Sequence, residues 1–508
     1  MHLSTQRACR PLAGRGYLVT TSYQYYRVAW ASSTARGWQP QKLSANWKPS
    51  QPHFRRLGIA PSLQESETPE SGSTGRGDVG AIVVGGGPAG IAVVGNLLEQ
   101  LGPDKKIIWV DRQFSGGRIP AKYSEVPSNT TVALFIKYAQ AVQPLRAIHD
   151  AAAAEPGPNA IKDLQSLDQD GTCKLSYAGD MLALLTKELT KHPRVKTYKG
   201  TVELAVRNTS TPHHWIVSLA QQDEGPAAPI LDAPILVYCT GSSPTPPVSL
   251  LPGLDPLKPM VGQPLDASLD WVLSSSLSQN LPRDKKIIFG VVGASHSAIV
   301  VLLILAHLQR SSHPLLEVKW FTRSKSLKYA VYEDGWIRYD NTGLKGIAAE
   351  FARYYLEGVG YESIPRGKGN VWQMLGPLRA PERIDCSGGF EAEKEAYMTH
   401  LPACDYVVQA IGYTRDPLPV TASPVDGVYD SRRGLTFDHE TGEFTNKETG
   451  KPVPGLFGAG IAFPERVVDK AGNVEHAVGL WKFMRFLKRV VPTWVEKTAE
   501  AKNIEVRE

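Results

Sequence analysis

The feature that most restricts this chain is a glycine-spaced turn set between two apolar runs. Residues 79–101 read VGAIVVGGGPAGIAVVGNLLEQL, which suits a short buried strand, a turn and a helix. Gly85, Gly87 and Gly90 follow the spacing G-x-G-x-x-G. Gly85 permits the tight turn, Gly87 lets the backbone approach a pyrophosphate, and Gly90 lets helix and strand pack closely. Pro88 and Ala89 complete the candidate phosphate contacts. Free N–H groups and the helix dipole at this end favour an anion. A second strand, KKIIWVD, ends at Asp111, 21 residues after Gly90. A carboxylate there can accept ribose hydroxyls. Together these residues predict a dinucleotide-binding unit.

The pattern returns from Lys285. KKIIFGVVGASHSAIVVLLILAHL is again strand, turn and helix, and EVKWFTR is the next strand. In the second turn Ser295 replaces the middle glycine and Ala298 the last. Both are small, so Gly293, Ser295, His296 and Ser297 remain candidate contacts to a second nucleotide. No acid ends the following strand. Arg323 and Lys325 follow it instead, with Lys328 close by. Cations there suit a 2′-phosphate, so NADPH is favoured over NADH; a solvated basic loop is the plainer alternative. The 22 residues from Ile287 to Leu308 carry no formal charge and reach the length of a membrane span. Gly290, Gly293 and the Ser-His-Ser step at 295–297 divide them into a strand, a turn and a helix, so no transmembrane span is expected.

Two matching segments close these units. PILVYCTGSSPTPP ends the first around Gly241, and CDYVVQAIGYTRDPLP ends the second around Gly412. PGLFGAGIAFPE then carries Gly460, and a last helix is expected from about Val474 to Val490. VKTYKGTVELAV and HHWIVSLA read as strands, and Val202 within them is a candidate contact to the first nucleotide. The order predicts an α/β fold with two Rossmann-like nucleotide-binding domains, the second inserted into the first. The expected boundaries are 79–250 for the first part, 251–415 for the insertion and 416–508 for the return segment.

Composition narrows the function. The formal charge of +6 is misleading, because residues 1–64 hold nine Lys and Arg and no acid. The body has no basic stripe, so nucleic-acid binding is not expected. The acid-free start, rich in Arg, Ser and Thr, fits a mitochondrial transit peptide; a disordered extension is the alternative. Residues 65–78 have linker composition. The five cysteines, Cys9, Cys173, Cys239, Cys386 and Cys404, form no C-x-x-C. No zinc-ligand spacing occurs, so no metal is expected.

Ser115-Gly116-Gly117-Arg118 follows Asp111. Here the chain resembles flavoproteins with two dinucleotide-binding domains, in which such a turn lies beside the phosphates of FAD. The resemblance makes Gly117 and Arg118 candidate FAD contacts, and makes the insertion an NADPH domain within an FAD domain. Asp405, Ala410, Gly412 and Tyr413 resemble a signature shared by flavin-containing and N-hydroxylating monooxygenases. The family places an Asn beside the reactive flavin face where this chain has Asn129. An amide there hydrogen-bonds a peroxide without competing as a base; a simple helix cap is the alternative. Glu475-His476 and Gly479-Leu480 resemble the C-terminal stretch of ornithine hydroxylases, which makes His476 a catalytic candidate beside a packed or capping role. Three features depart from the pattern. Gly460-Ile461 lacks the Asp of related reductases, the linker fingerprint near Met260–Asp266 lacks its His, and the Trp-His element of ornithine hydroxylases is missing.

The resemblance implies an FAD-dependent, NADPH-reduced monooxygenase that uses a flavin peroxide to oxygenate an N, S or ketone centre of a small molecule, with oxygen as co-substrate. An NAD(P)H dehydrogenase serving a quinone or protein acceptor, and a flavin-bound regulatory protein without turnover, are the alternatives.

Overall fold

The fold is described from a computed structural model, which covers residues 78–208, 214–220, 229–245, 272, 277, 281–358, 379–423, 427–429 and 434–505. The basic extension, residues 65–77 of the linker and Met260–Asp266 lie outside the described residues.

Val79–Val84 forms a strand near the middle of a seven-stranded sheet. It pairs in parallel with Lys106–Asp111 on one side and Ile235–Tyr238 on the other. Val195–Lys199 and Pro452–Gly458 extend the parallel run at its two ends. Glu443–Asn446 and Leu435–Phe437 add an antiparallel edge. Parallel strands covered on both faces need apolar residues on both faces. Alternate side chains accordingly enter two cores. Ala81, Val83, Ile107 and Trp109 pack under the helices Pro88–Gln100, Leu175–Leu189 and Leu480–Glu505. Ile82, Val84, Ile108 and Val110 pack against a five-stranded sheet that contains Val202–Arg207 and Trp215–Leu219.

The second unit is a four-stranded parallel sheet in the order Glu382–Asp385, Leu316–Thr322, Ile287–Val292 and Tyr406–Gln409. The uncharged stretch from Ile287 is a strand, a turn and the helix His296–Ser311, packed inside the unit. Among the described residues no helix is long and apolar enough to cross a membrane. The chain leaves the first unit through Ser242–Pro244 and returns through Tyr413–Arg415, and these two strands pair antiparallel as a ribbon. The strands of the small sheet thus lie in sequence between those of the large one.

The end of the chain departs from expectation. Val474–Ala477 is a strand paired antiparallel with Glu465–Val468, and the last helix starts only at Leu480 and runs to Glu505. Val474, Glu475, His476 and Ala477 alternate exposed and buried, which is the period of a strand. Gly479, at φ +139°, then turns the chain into the helix.

That helix is fastened to the sheet by Trp494. Its ring stacks on Phe457 at 4.5 Å and 15°, and its Nε1 donates to the Thr441 carbonyl at 2.7 Å. A Trp→Ala change in a core costs about 3–5 kcal/mol. Trp494→Ala should therefore lower the thermal midpoint sharply, read by loss of helical circular dichroism. An unchanged midpoint would show that the helix is held elsewhere.

Candidate active site

The first glycine turn is held from beneath. Gly85 N–H donates to the Val110 carbonyl at 2.8 Å, and Trp109 Nε1 donates to the Gly85 carbonyl at 2.9 Å. A Cβ on Gly90 would lie 1.9 Å from that same carbonyl, so only glycine lets the helix approach this closely. The helix begins at Pro88, with Gly87 at its N-cap and no acid in its first turn. Its free N–H groups are therefore open to an anion, with no acid in the first turn to compete. Asp111 is aimed by three backbone donors: Gly86 at 2.8 Å on Oδ2, and Gln113 at 2.9 Å and Phe114 at 2.7 Å on Oδ1. An ionised carboxylate offers about four acceptor positions, so one stays open for a ribose hydroxyl.

Gly117 lies directly on this turn. It has φ +85°, and a Cβ there would lie 2.6 Å from Gly87 Cα. Gly460 brings the return segment to the same place, where an added Cβ would lie 2.6 Å from the Ala89 methyl. Val202 starts a strand and is buried, and Gly200 N–H donates to the Asp111 carbonyl at 3.1 Å, so this segment adjoins the ribose end of the turn. The cradle is narrow, backbone-lined and free of side-chain anions at the helix start, which fits the pyrophosphate of FAD.

Arg118 also ties the first unit to the crossing segments. Its guanidinium donates to the Ser242 carbonyl and, at 3.1 Å, to the Asp416 carboxylate. Asp416 also accepts from Ser243 Oγ at 2.5 Å, and its N–H donates to the Gly241 carbonyl at 3.1 Å. Gly412 accepts from Thr245 N–H at 2.9 Å. Arg118, Gly241 and Gly412 therefore belong to the ribbon that joins the units.

The second turn repeats the first. Gly293 N–H donates to the Phe321 carbonyl at 3.0 Å, and Trp320 Nε1 donates to the Gly293 carbonyl at 2.7 Å. The tryptophan beneath each turn was missed in sequence, although IIWVD and VKWFT place it alike. Ser295 is the N-cap and His296 and Ser297 open the helix. Nδ1 of His296 is buried without a hydrogen-bond partner among the described residues. Burial, and then the Lys345 charge, push the imidazole down to about 4, so it is neutral at neutral pH. Arg323 Nε donates to both oxygens of Glu393 at 2.9 Å, while Lys325 is exposed. Arg383, also missed, pins this loop by donating to the Ser324 and Lys325 carbonyls at 2.7 Å. Tertiary structure thus brings acids to the basic loop that its own strand lacks: Glu393 on Arg323, and Asp385 paired in register with Thr322.

Asn129 is exposed on the strand Pro127–Thr131, and the following helix has Thr131 at its N-cap with no side-chain bond, so Asn129 is not a cap. The strand lies where the units meet. A Cβ on Gly346 of the second unit would sit 3.6 Å from the Ser128 carbonyl, and Tyr123 and Val126 pack into the second core. His476 stands on a strand rather than at a helix start, with its ring 4.8 Å from that of His439. Burial, His439 and Arg466 hold its pKa below the usual value. Its neighbour Glu475 faces the second unit instead, accepting from Asn341 N–H at 3.0 Å and Thr342 N–H at 3.1 Å. The alternation of VEHA was the available signal.

The Gly117 contact is directly testable. Gly117→Ala should lose most of its bound flavin, measured as the absorbance ratio of flavin to protein. Gly157 also has a positive φ but nothing within 4 Å of an added Cβ, so Gly157→Ala carries the backbone strain alone and should keep its flavin. Equal flavin content in the two variants would show that the close approach to Gly87 is unimportant.

No family model matches the chain. Among solved structures, the L-lysine 6-monooxygenase from Pseudomonas syringae is similar at 12% identity over 83% of this chain and 99% of that one, with a TM-score of 0.43. The thioredoxin reductase from Lactococcus lactis is similar at 10% identity over 83% and 100%, with a TM-score of 0.38. Scores this low do not bear on the assignment. The sequence relationship does. Monooxygenase AgnR1 from Paecilomyces divaricatus is 47% identical over 416 residues, which span 82% of this chain and 97% of that protein. Identity of that extent, on a chain with two dinucleotide-type turns, places this protein in the same monooxygenase family as AgnR1.

Proposed function

We propose that the protein is a single-component FAD-dependent monooxygenase, reduced by NADPH, that oxygenates an N, S or ketone centre of a small molecule. The observation that carries this reading is the pair of tryptophan-latched glycine turns, in a chain related at 47% identity to a protein named a monooxygenase. Bound FAD supplies the electron-pair acceptor and the centre at which oxygen is activated, with NADPH as the hydride source. In the net reaction one oxygen atom enters the substrate and the other leaves as water.

The chain's own residues divide the remaining work. The helix start at Pro88 and the Gly117 turn hold pyrophosphate, and Asp111 orients a ribose. The neutral His296 leaves phosphate binding at the second turn to backbone N–H groups. Lys325 and Arg323 meet a 2′-phosphate. Asn129 offers an amide at the junction, a hydrogen-bonding group that takes no proton. Oxygen is the fitting acceptor because no dithiol stands ready among the described residues. The described cysteines are all free, and burial pushes the thiols of Cys173, Cys386 and Cys404 up to about 11 and that of Cys239 higher still. Thiols so disfavoured from ionising are poor relays.

Oxygen consumption with NADPH and a substrate panel tests the reading. Asn129→Asp should leave flavin reduction nearly intact while raising the hydrogen peroxide released per NADPH. Slow reoxidation of the reduced wild type in air, with rapid reoxidation by quinones, would replace the monooxygenase with a dehydrogenase.

Nucleotide preference is a separate outcome. A charge-assisted contact to phosphate contributes on the order of 1.5–3 kcal/mol, or about 10- to 100-fold. The Arg323→Ala, Lys325→Ala double variant should lose that factor in kcat/KM for NADPH but not for NADH. Equal use of both nucleotides by the wild type would refute the assignment. The acid-free residues 1–64 further support mitochondrial import. Fused to a reporter they should direct it to mitochondria, and a diffuse cytosolic signal would remove that part of the proposal.

A further inference from the structure

The basic loop that follows Leu316–Thr322 is held by a helix from farther along the chain. Phe390–His400 packs on the second sheet through Tyr397, whose ring lies 5.4 Å from that of Phe321. Glu393 precedes Tyr397 by one helical turn, so the two side chains share a face. Both residues are buried, at 8% and 5% exposure. The Tyr397 hydroxyl donates to Glu393 Oε1 at 2.6 Å. Burial, and then Glu393, raise the phenol pKa far above its ordinary value, so the hydroxyl stays protonated and keeps donating. Arg323 Nε donates to both oxygens of the same carboxylate at 2.9 Å, while the arginine side chain remains 77% exposed.

A long, exposed arginine otherwise spreads over many rotamers. A bond at Nε fixes the stem and leaves the two terminal nitrogens as an open fork, which matches two oxygens of a phosphate. Glu393 is itself fixed by Tyr397. It also lies in the first turn of its helix, whose positive end offsets part of its charge. The charges around the loop stay positive in sum. Glu393 acts on Arg323, and Asp385 is held ionised by Ser387 and then by Lys325 and Arg383, so the cations outnumber the carboxylates that face them.

Resting on the NADPH reading, we propose that Glu393 is a positioning residue for the 2′-phosphate. It aims Arg323, so nucleotide preference is set from the helix Phe390–His400 as well as from the loop. Glu393 has two opposed effects on a bound phosphate. Its charge repels the anion, and its hold on Nε spares the anion the cost of ordering the arginine. Glu393→Gln and Glu393→Met separate the two. Both remove the charge, and only glutamine keeps an oxygen for Arg323 Nε and the Tyr397 hydroxyl.

Calorimetric titration of the flavin-bound variants with NADP⁺ and with NAD⁺ gives the ratio of the two affinities. That ratio should be about two- to tenfold lower in Glu393→Met than in Glu393→Gln, which is the cost of immobilising one long side chain. In an Arg323→Ala background the two variants should give the same ratio. A merely structural role would move both nucleotides together and leave the ratio alone. Equal ratios in the methionine and glutamine variants, or a difference that survives without Arg323, would overturn the proposal. Should Glu393→Met lose its flavin, the Glu393→Met, Tyr397→Phe double variant leaves no orphaned hydroxyl and takes its place in the comparison. Wild-type protein that binds NADP⁺ and NAD⁺ equally would overturn the NADPH reading, and this proposal with it. A wild-type preference for NADP⁺ with equal ratios in the two variants overturns the role of Glu393 alone.

Discussion

The architecture depends on one close approach, the first helix against the carbonyl of Gly85. That carbonyl takes the indole N–H of Trp109 on one side and has the Cα of Gly90 against the other. The contact fixes where the helix starts, so it fixes where its free N–H groups point. It also sets the gap into which Gly117 and Gly460 fit. The second turn keeps the tryptophan latch but relaxes the approach. Ala298 has a Cβ, which lies 3.4 Å from where a Cβ on Gly293 would be. A turn that admits a methyl group stands slightly farther from its strand, which explains how Ser295 and Ala298 replace glycines there without loss of the fold.

The two units communicate through contacts that carry charge as well as through packing. At one end Arg118 joins the turn beside the first nucleotide to both strands of the crossing ribbon, through the Ser242 carbonyl and Asp416. At the other end Asp340, Lys345, Lys482 and Glu475 tie a loop of the second unit to the last helix and its preceding strand. Isolated surface ion pairs contribute little. These are partly buried and share partners, so removing one member leaves another uncompensated. Lys482 shows the balance: burial and Lys345 lower its pKa, and only Asp340 and Glu475 oppose them. The junction is therefore fixed at two places, the crossing ribbon and the loop held by the last helix.

Both glycine turns, the strands beneath them and the crossing segments were legible in the sequence because each rests on local chemistry. Gly85, Gly90 and Asp111 act within one strand–turn–helix unit, and their spacing is their geometry. What was illegible depends on partners far along the chain. The bond from Arg118 to Asp416 spans 298 residues, and nothing in the neighbourhood of Arg118 names that partner. Arg323 looked like a free cation because Glu393 approaches from another helix. His476 was put on a helix because its glycine-flanked segment was read as a helix start, although the four residues from Val474 alternate with a period of two.

Electrostatics at the second turn shows why such distant partners decide chemistry. A histidine at the first position of a helix, beside a phosphate, suggests a cationic ligand. Burial opposes the charge first, and the Lys345 ammonium opposes it further, so the ring is neutral above about pH 4. The helix N-terminus adds to this, since its partial positive charge disfavours a second cation. Positive potential at this turn must then come from backbone N–H groups and from the basic loop beyond the neighbouring strand. Within that loop Arg323 holds Glu393 through Nε and stays exposed, so its remaining guanidinium N–H groups and exposed Lys325 are both open to a phosphate.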